Sequence, residues 1–323
     1  MLRKLPYLVV GVALLASACS SSSTSTSPTP GPQTLYVGNC GSTISITEYP
    51  ASATGNVAPT VTIAGAATLL QCPEGLAFDS AGTLYVADYS SNSVIEFAPG
   101  ASGNATPVRQ ITGLSGPVDV AFDSSGNLYV GQYTGNRVDV FAPLANGAAT
   151  PIRSINTGAA GLLHADYVHF DTSGNLWVSE EVNPAGNHVV AYAPGASGNA
   201  TPVFSITGAN TQLSGALGMT LDSANNIYVS NYGSSAVTVY AAGSNGNVAP
   251  IRTVSGALTQ IHIPYGIAFD NAGNYYVANC SGAGPPPDNV AVFPSTANGN
   301  VAPARDIAGA ATGLSCPWGI TLH

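Results

Sequence analysis

From residue 34 onward, short and mostly apolar runs alternate with clusters of Gly, Pro, Asn, Ser and Thr. The runs are rich in Val, Ile, Tyr and Phe and alternate with period two. They are too short for helices, so each predicts a strand. One run ends in Asp and recurs as PEGLAFD at 73–79, PVDVAFD at 117–123, ADYVHFD at 165–171, ALGMTLD at 216–222 and PYGIAFD at 264–270. The copies start 44, 48, 51 and 48 residues apart, and PWGITLH follows 53 residues later at 317–323, with His323 in place of the Asp.

Three more runs follow each full copy. The second is LYV at 84–86 and 128–130, LWV at 176–178, IYV at 227–229 and YYV at 275–277. The third includes VIEF at 94–97 and VTVY at 237–240, and the fourth includes PVRQI at 107–111 and PIRTV at 250–254. Four strands per period of about 48 residues describe a propeller blade. The chain ends settle the topology. Runs at 35–37, 44–49 and 59–63 are second, third and fourth strands without a first, and 317–323 is a first strand alone. The expected fold is all-β: a six-bladed β-propeller of four-stranded antiparallel blades, closed by pairing the C-terminal first strand with the N-terminal strands. Asp79, Asp123, Asp171, Asp222 and Asp270 open hairpins, where a carboxylate accepts turn N–H groups. Arg109, Arg153, Arg252 and Arg305 share one fourth-strand position and are expected as surface contacts between blades.

The consensus of the first two strands resembles the NHL repeat, and the resemblance spans residues 34–323. It implies the propeller fold and leaves function open.

The N-terminus predicts an address. Arg3 and Lys4 precede an apolar run from Leu5 to Ala16, then Ser17, Ala18 and Cys19. This pattern is a signal peptide over residues 1–18, too short to span a membrane comfortably. Residues 15–19 also resemble a bacterial lipobox, which implies that Cys19 is acylated and becomes the new N-terminus. Residues 19–33 are Ser, Thr and Pro with little else, a disordered tether. The expected localisation is therefore the bacterial cell envelope, on the outer membrane or cell surface, with the lipid bilayer as partner. The chain has 7 Lys and Arg against 16 Asp and Glu. So few basic residues exclude a nucleic-acid surface, and a monomer is expected.

Four further cysteines obey the repeat. Cys40 and Cys280 end second strands, and Cys72 and Cys316 precede first strands. A second strand's end lies beside the next blade's first-strand start, which favours the disulfides Cys40–Cys72 and Cys280–Cys316. The rival bond Cys40–Cys316 would leave Cys72 and Cys280 on non-adjacent blades, and the same distance excludes a four-thiolate zinc site.

Propeller ligands sit over the central channel, so the face with first-strand starts and second-strand ends is the candidate surface. Glu74, Val118, Asp166, Leu217, Tyr265 and Trp318 follow the repeat's Pro position. Asn39, Asp88, Gln132, Glu180, Asn231 and Asn279 end second strands, and Asp119, His164, His169 and Glu181 lie nearby. Such a carboxylate and amide ring suits calcium, and His164 with His169 beside acids suits zinc. The alternative is that each polar group satisfies a loop N–H. The segment at 74–79 resembles the first-strand motif of the gluconolactonase family. That resemblance implies a divalent ion held by Glu, Asn and Asp at this strand position in three blades. Glu74 matches the Glu and Asp166 stands in for the Asp, one blade early. No Asn is present, and Leu217 and Tyr265 occupy places where ligands are wanted. Propellers of the NHL type also include an amidating lyase with zinc-binding His. The five His here, at 164, 169, 188, 262 and 323, show no metal-binding spacing. No nucleophile elbow or phosphate loop is present.

The sequence therefore leads first to a membrane-anchored, non-catalytic binding or scaffold module for a small molecule, glycan or protein. Its apolar platform would be Tyr265 and Trp318, with Glu74, Asp119, Asp166 and Glu180 as polar contributors. The alternative is a metal-dependent lactone hydrolase or lyase using Glu74, Asp166 and His169. A mainly structural surface protein is the third reading.

Overall fold

A computed structural model describes residues 33–180, 187–281 and 287–323. It contains six four-stranded antiparallel sheets, each a simple meander. We number the blades I to V in chain order by their first strands, Pro73–Phe78, Pro117–Phe122, Val168–Phe170, Ala216–Leu221 and Pro264–Phe269. Blade VI joins both ends of the chain: its first strand is Pro317–Leu322 and its second is Thr34–Cys40. These pair from Leu35 opposite Leu322 to Asn39 opposite Pro317. The expected six-fold closure is thus the observed one. Helical structure among the described residues is limited to four short 3₁₀ segments, and no helix there is long and apolar enough to cross a membrane.

Each blade buries one side against its neighbour. The second-strand Tyr of one blade meets the first-strand Phe of the next edge-on, as in Tyr36–Phe78, Tyr85–Phe122, Tyr129–Phe170 and Tyr228–Phe269, at 4.8 to 4.9 Å. Aromatic pairs in this geometry add to the burial energy by roughly 1 kcal/mol each. At the rim, each fourth strand bridges to a Gly of the next blade's outer loop, for example Ile63 to Gly103 and Ile155 to Gly198.

The repeated polar residues are structural. Asp123 Oδ1 accepts from the N–H groups of Ser125 and Asn127, both at 2.9 Å, across a turn in which Gly126 takes a φ of 78°. The other four Asp do the same. The fourth-strand arginines correct one expectation, because they reach across their own blades. Cross-strand register aligns Tyr228, Val239 and Arg252 in one row. The guanidinium passes over the Val and donates to the Tyr hydroxyl at 2.8 Å. Tyr129 with Arg153 and Tyr276 with Arg305 repeat the row. Among the described residues, Arg305 also reaches the next blade, at the Ala51 carbonyl. In blade I a buried Glu96 takes the Val place and pairs with Arg109 at 2.6 Å.

The two expected disulfides are present, Cys40–Cys72 and Cys280–Cys316, with Cα separations of 4.6 and 4.3 Å. Both meet on blade VI. One ties its N-terminal part to blade I, the other its C-terminal strand to blade V. Cys19, the signal segment and the tether up to residue 32 lie outside the described residues.

Candidate functional site

Asn39, Asp88, Gln132, Glu180, Asn231 and Asn279 stand at or next to the ends of the second strands, all fully buried. Each turns a side-chain oxygen to the loop that enters the first strand of its own blade. Asp88 Oδ2 accepts from Gln71 and Cys72 at 2.8 and 3.0 Å. Gln132 accepts from Ser115 at 2.7 Å, and Glu180 accepts from Leu163. Asn39, Asn231 and Asn279 hold Ser315, Ser214 and His262. Buried loop donors need such partners. Glu180 is therefore part of a six-fold loop clasp, which corrects its assignment to a ligand surface. Glu181 lies outside the described residues.

The channel end at this face is plugged. Glu74, Asp166 and Tyr265 are at most 8% exposed, and Trp318 packs half-buried on the same cluster. The rings of Tyr265 and Trp318 stack at 4.3 Å, and Tyr232 meets Tyr265 at 6.0 Å. Tyr167 completes the plug. It starts in blade III, and its phenol donates to the Trp318 carbonyl of the opposite blade at 3.4 Å. Burial, then Asp119, Glu74, Tyr265 and Asp166, push this phenol well above its usual pKa. The expected open platform of Tyr265 and Trp318, with Glu74 and Asp166 as accessible partners, is thus corrected. Second-position side chains are large enough to meet near the axis and pack on one another.

The other half of the channel is open. A cavity of about 520 Å³ runs from Tyr167 to the first-strand ends. Four blades have Gly at the third motif position because the next backbone leaves no room: a Cβ on Gly319 would lie 1.4 Å from the Glu74 carbonyl oxygen, and one on Gly218 would lie 2.0 Å from that of Tyr265. Blades II and III depart from this rule with Asp119 and Tyr167. The Asp119 carboxyl fills space that Gly75 vacates, since a Cβ there would stand 2.3 Å from its Oδ1. Its Oδ2 accepts the Val168 N–H at 3.0 Å. Burial, opposed by hydrogen bonds from Val168 and Val120, pushes its pKa up to about 7.

The fifth motif position sets the rest of the wall with Ala77, Ala121, His169, Thr220, Ala268 and Thr321. Polar groups stand on blades III, IV and VI, and Ala77 and Ala121 make an apolar side on blades I and II. His169 keeps surface toward the channel, yet its enclosure there lowers its pKa to about 4, so the imidazole is neutral at neutral pH. Among the described residues, no protein group hydrogen-bonds its ring or the hydroxyls of Thr220 and Thr321. His323 stands at the mouth, stacked on Phe78 at 4.2 Å. Of the six residues first assigned to ligand binding, Asp119 alone lines this cavity. Tyr167, Thr220 and Thr321 escaped the sequence reading. The signal for Tyr167 was a large side chain at a position otherwise held by Gly.

The residues do not fit the expected metal. Among the described residues, no three His, Cys, Asp or Glu side chains gather as a metal-holding group. Glu74 and Asp166 belong to the plugged end and His169 to the open one, so strand direction separates the proposed ligands. His164 is held elsewhere, stacked on Tyr133 at 3.8 Å.

Residues 70–97 match the NHL repeat. No curated protein matches the sequence significantly. Solved structures of similar fold include a protein of unknown function from Bacteroides caccae, at 12% identity and TM-score 0.66, over 90% of this chain and 98% of that one. The periplasmic gluconolactonase of Pseudomonas aeruginosa is 14% identical with TM-score 0.61 over the same shares. A catalytically inactive virginiamycin B lyase from Staphylococcus aureus with quinupristin is 14% identical with TM-score 0.50, over 81% and 85%. At these identities the likeness extends to fold and not to activity. The chain is a six-bladed β-propeller that carries an NHL repeat in its first complete blade.

Proposed function

We propose that this protein is an exported, lipid-anchored propeller that binds a small molecule in its central channel, entering where the first strands end. The observation that carries this reading is the cavity wall with unpartnered polar groups at His169, Thr220 and Thr321. A pocket of this volume with a few open polar groups on an apolar frame suits a small ligand. Tyr167 makes the channel a blind pocket, not a pore. Acylated Cys19 and the 19–33 tether would hold the propeller as a monomer on the envelope. The rival reading, a metal-dependent lactone hydrolase or lyase, would need an ion where Glu74, Asp166 and His169 do not meet.

Two measurements test the proposal. Cys19→Ala should abolish palmitate incorporation and release the protein into the soluble fraction; labelling that persists would remove the anchor. Ala121→Trp should fill the cavity. Compounds that raise the melting temperature of the wild type in a metabolite screen should then lose their effect. Hits that survive this substitution would place binding elsewhere.

A further inference from the structure

We infer that the channel takes a small organic ammonium: a primary amine on a short apolar body. This rests on the channel-binding reading above and adds the charge class of the ligand. Among the described residues, Asp119 is the one acidic side chain on the cavity wall, and no Lys or Arg lines it. The basic side chains of the propeller are all committed elsewhere. Arg109, Arg153, Arg252 and Arg305 lie on the outer strands against Tyr hydroxyls. Arg137 pairs with Asp139 at 2.9 Å on a third strand. Glu74 and Asp166 stand behind Tyr167 and add to the negative potential at the inner end. Charges act strongly in such a low-dielectric recess. An anion would be repelled there, and a neutral ligand would gain nothing from the negative potential.

The other polar wall groups are neutral acceptors, which suit the N–H donors of an ammonium. Neutral His169 offers one ring lone pair, and the Thr220 and Thr321 hydroxyl oxygens accept as well. Burial keeps a proton on Asp119 up to about pH 7, and an ammonium would take that proton's place. Ala77 and Ala121 on one side of the wall, and Phe122 and Phe170 toward the mouth, receive the apolar body.

The test uses benzylamine, benzyl alcohol and benzoate, which share one ring and differ in charge. Melting temperature and calorimetric affinity are read at about pH 8 on the full propeller. Benzylamine should stabilise the protein, with benzyl alcohol and benzoate without effect. Asp119→Asn should weaken benzylamine by roughly 10- to 100-fold, the loss expected for a charged hydrogen bond, and Ala121→Trp should abolish it. Benzyl alcohol binding as tightly as benzylamine, or benzylamine failing to bind at millimolar concentration, would overturn the ammonium class. If any of the three binds and Ala121→Trp leaves that binding intact, the channel reading itself falls.

Discussion

Replacing Asp119 by Asn should stabilise the protein at pH 8 and reshape its pH dependence. Burial raises this carboxyl from 3.8 to about 7. A group raised on folding contributes fully below its unfolded value, and the contribution is lost as pH rises through the folded value. A rise of about three units corresponds to at most about 4 kcal/mol. His169 acts in the opposite sense. Its pKa falls from 6.5 to about 4, so its contribution is complete above 6.5 and lost as pH falls to about 4, by at most about 3 kcal/mol. The wild type therefore holds two opposed slopes between about pH 4 and 6.5. Asp119→Asn should leave stability rising with pH over that interval. His169→Gln should leave it falling from about pH 4 to 7. Glu74, Asp166 and Tyr265, which act on Tyr167 from the plugged end, are unchanged in all three proteins and cancel from the comparison. Urea unfolding from about pH 4 to 8 measures the three profiles. Parallel profiles, or an Asp119→Asn protein no more stable than the wild type at pH 8, would refute the burial argument.

Other expectations follow from packing. Tyr167→Ala should cost about 3–5 kcal/mol in urea unfolding, because it empties a buried site on the channel axis. Each disulfide closes a loop with a sequence separation of 32 or 36, worth about 3–4 kcal/mol in the chain-entropy model. Thermal unfolding in a strong reductant should show both losses. Glu96→Val should leave stability unchanged or raise it, since Val at this place in the other rows lets the Arg reach its Tyr hydroxyl and no carboxylate is buried. Gly319→Ala should cost about 3 kcal/mol or more or prevent folding, because backbone atoms cannot yield to its Cβ; a wild-type melting temperature would contradict this.

The fold was legible because each blade repeats the same strand chemistry. Its Asp turns, Tyr rows and Gly positions recur at fixed offsets, so six copies report one structure. The disulfide pairing was legible for the same reason, since the repeat gives Cys40 and Cys280, and Cys72 and Cys316, equivalent places. The site was harder to read. A polar residue such as Glu180 has the composition of a ligand, and only its contact with the Leu163 N–H shows what it holds. Which channel end is open depends on side chains meeting across the axis, as Tyr167 does with Trp318. Sequence spacing carries no information on such contacts. The departures at Asp119, Tyr167 and His169 were the visible trace, two at a position otherwise Gly and one at a position otherwise Ala or Thr.

The placement of both disulfides on blade VI has a mechanical consequence. A pull on the N-terminal end of the propeller would strip the seven-residue strand Thr34–Cys40 from between its two neighbours, Pro317–Leu322 and Ile44–Pro50, one residue at a time. At Cys40 the unzipping stops, because the force passes through sulfur into blade I, whose strands are continuous in the chain. A pull on the C-terminal strand is diverted in the same way through Cys316 into blade V. Under tension the oxidised ring can lose one short strand at its seam, whereas the reduced ring can unravel blade by blade.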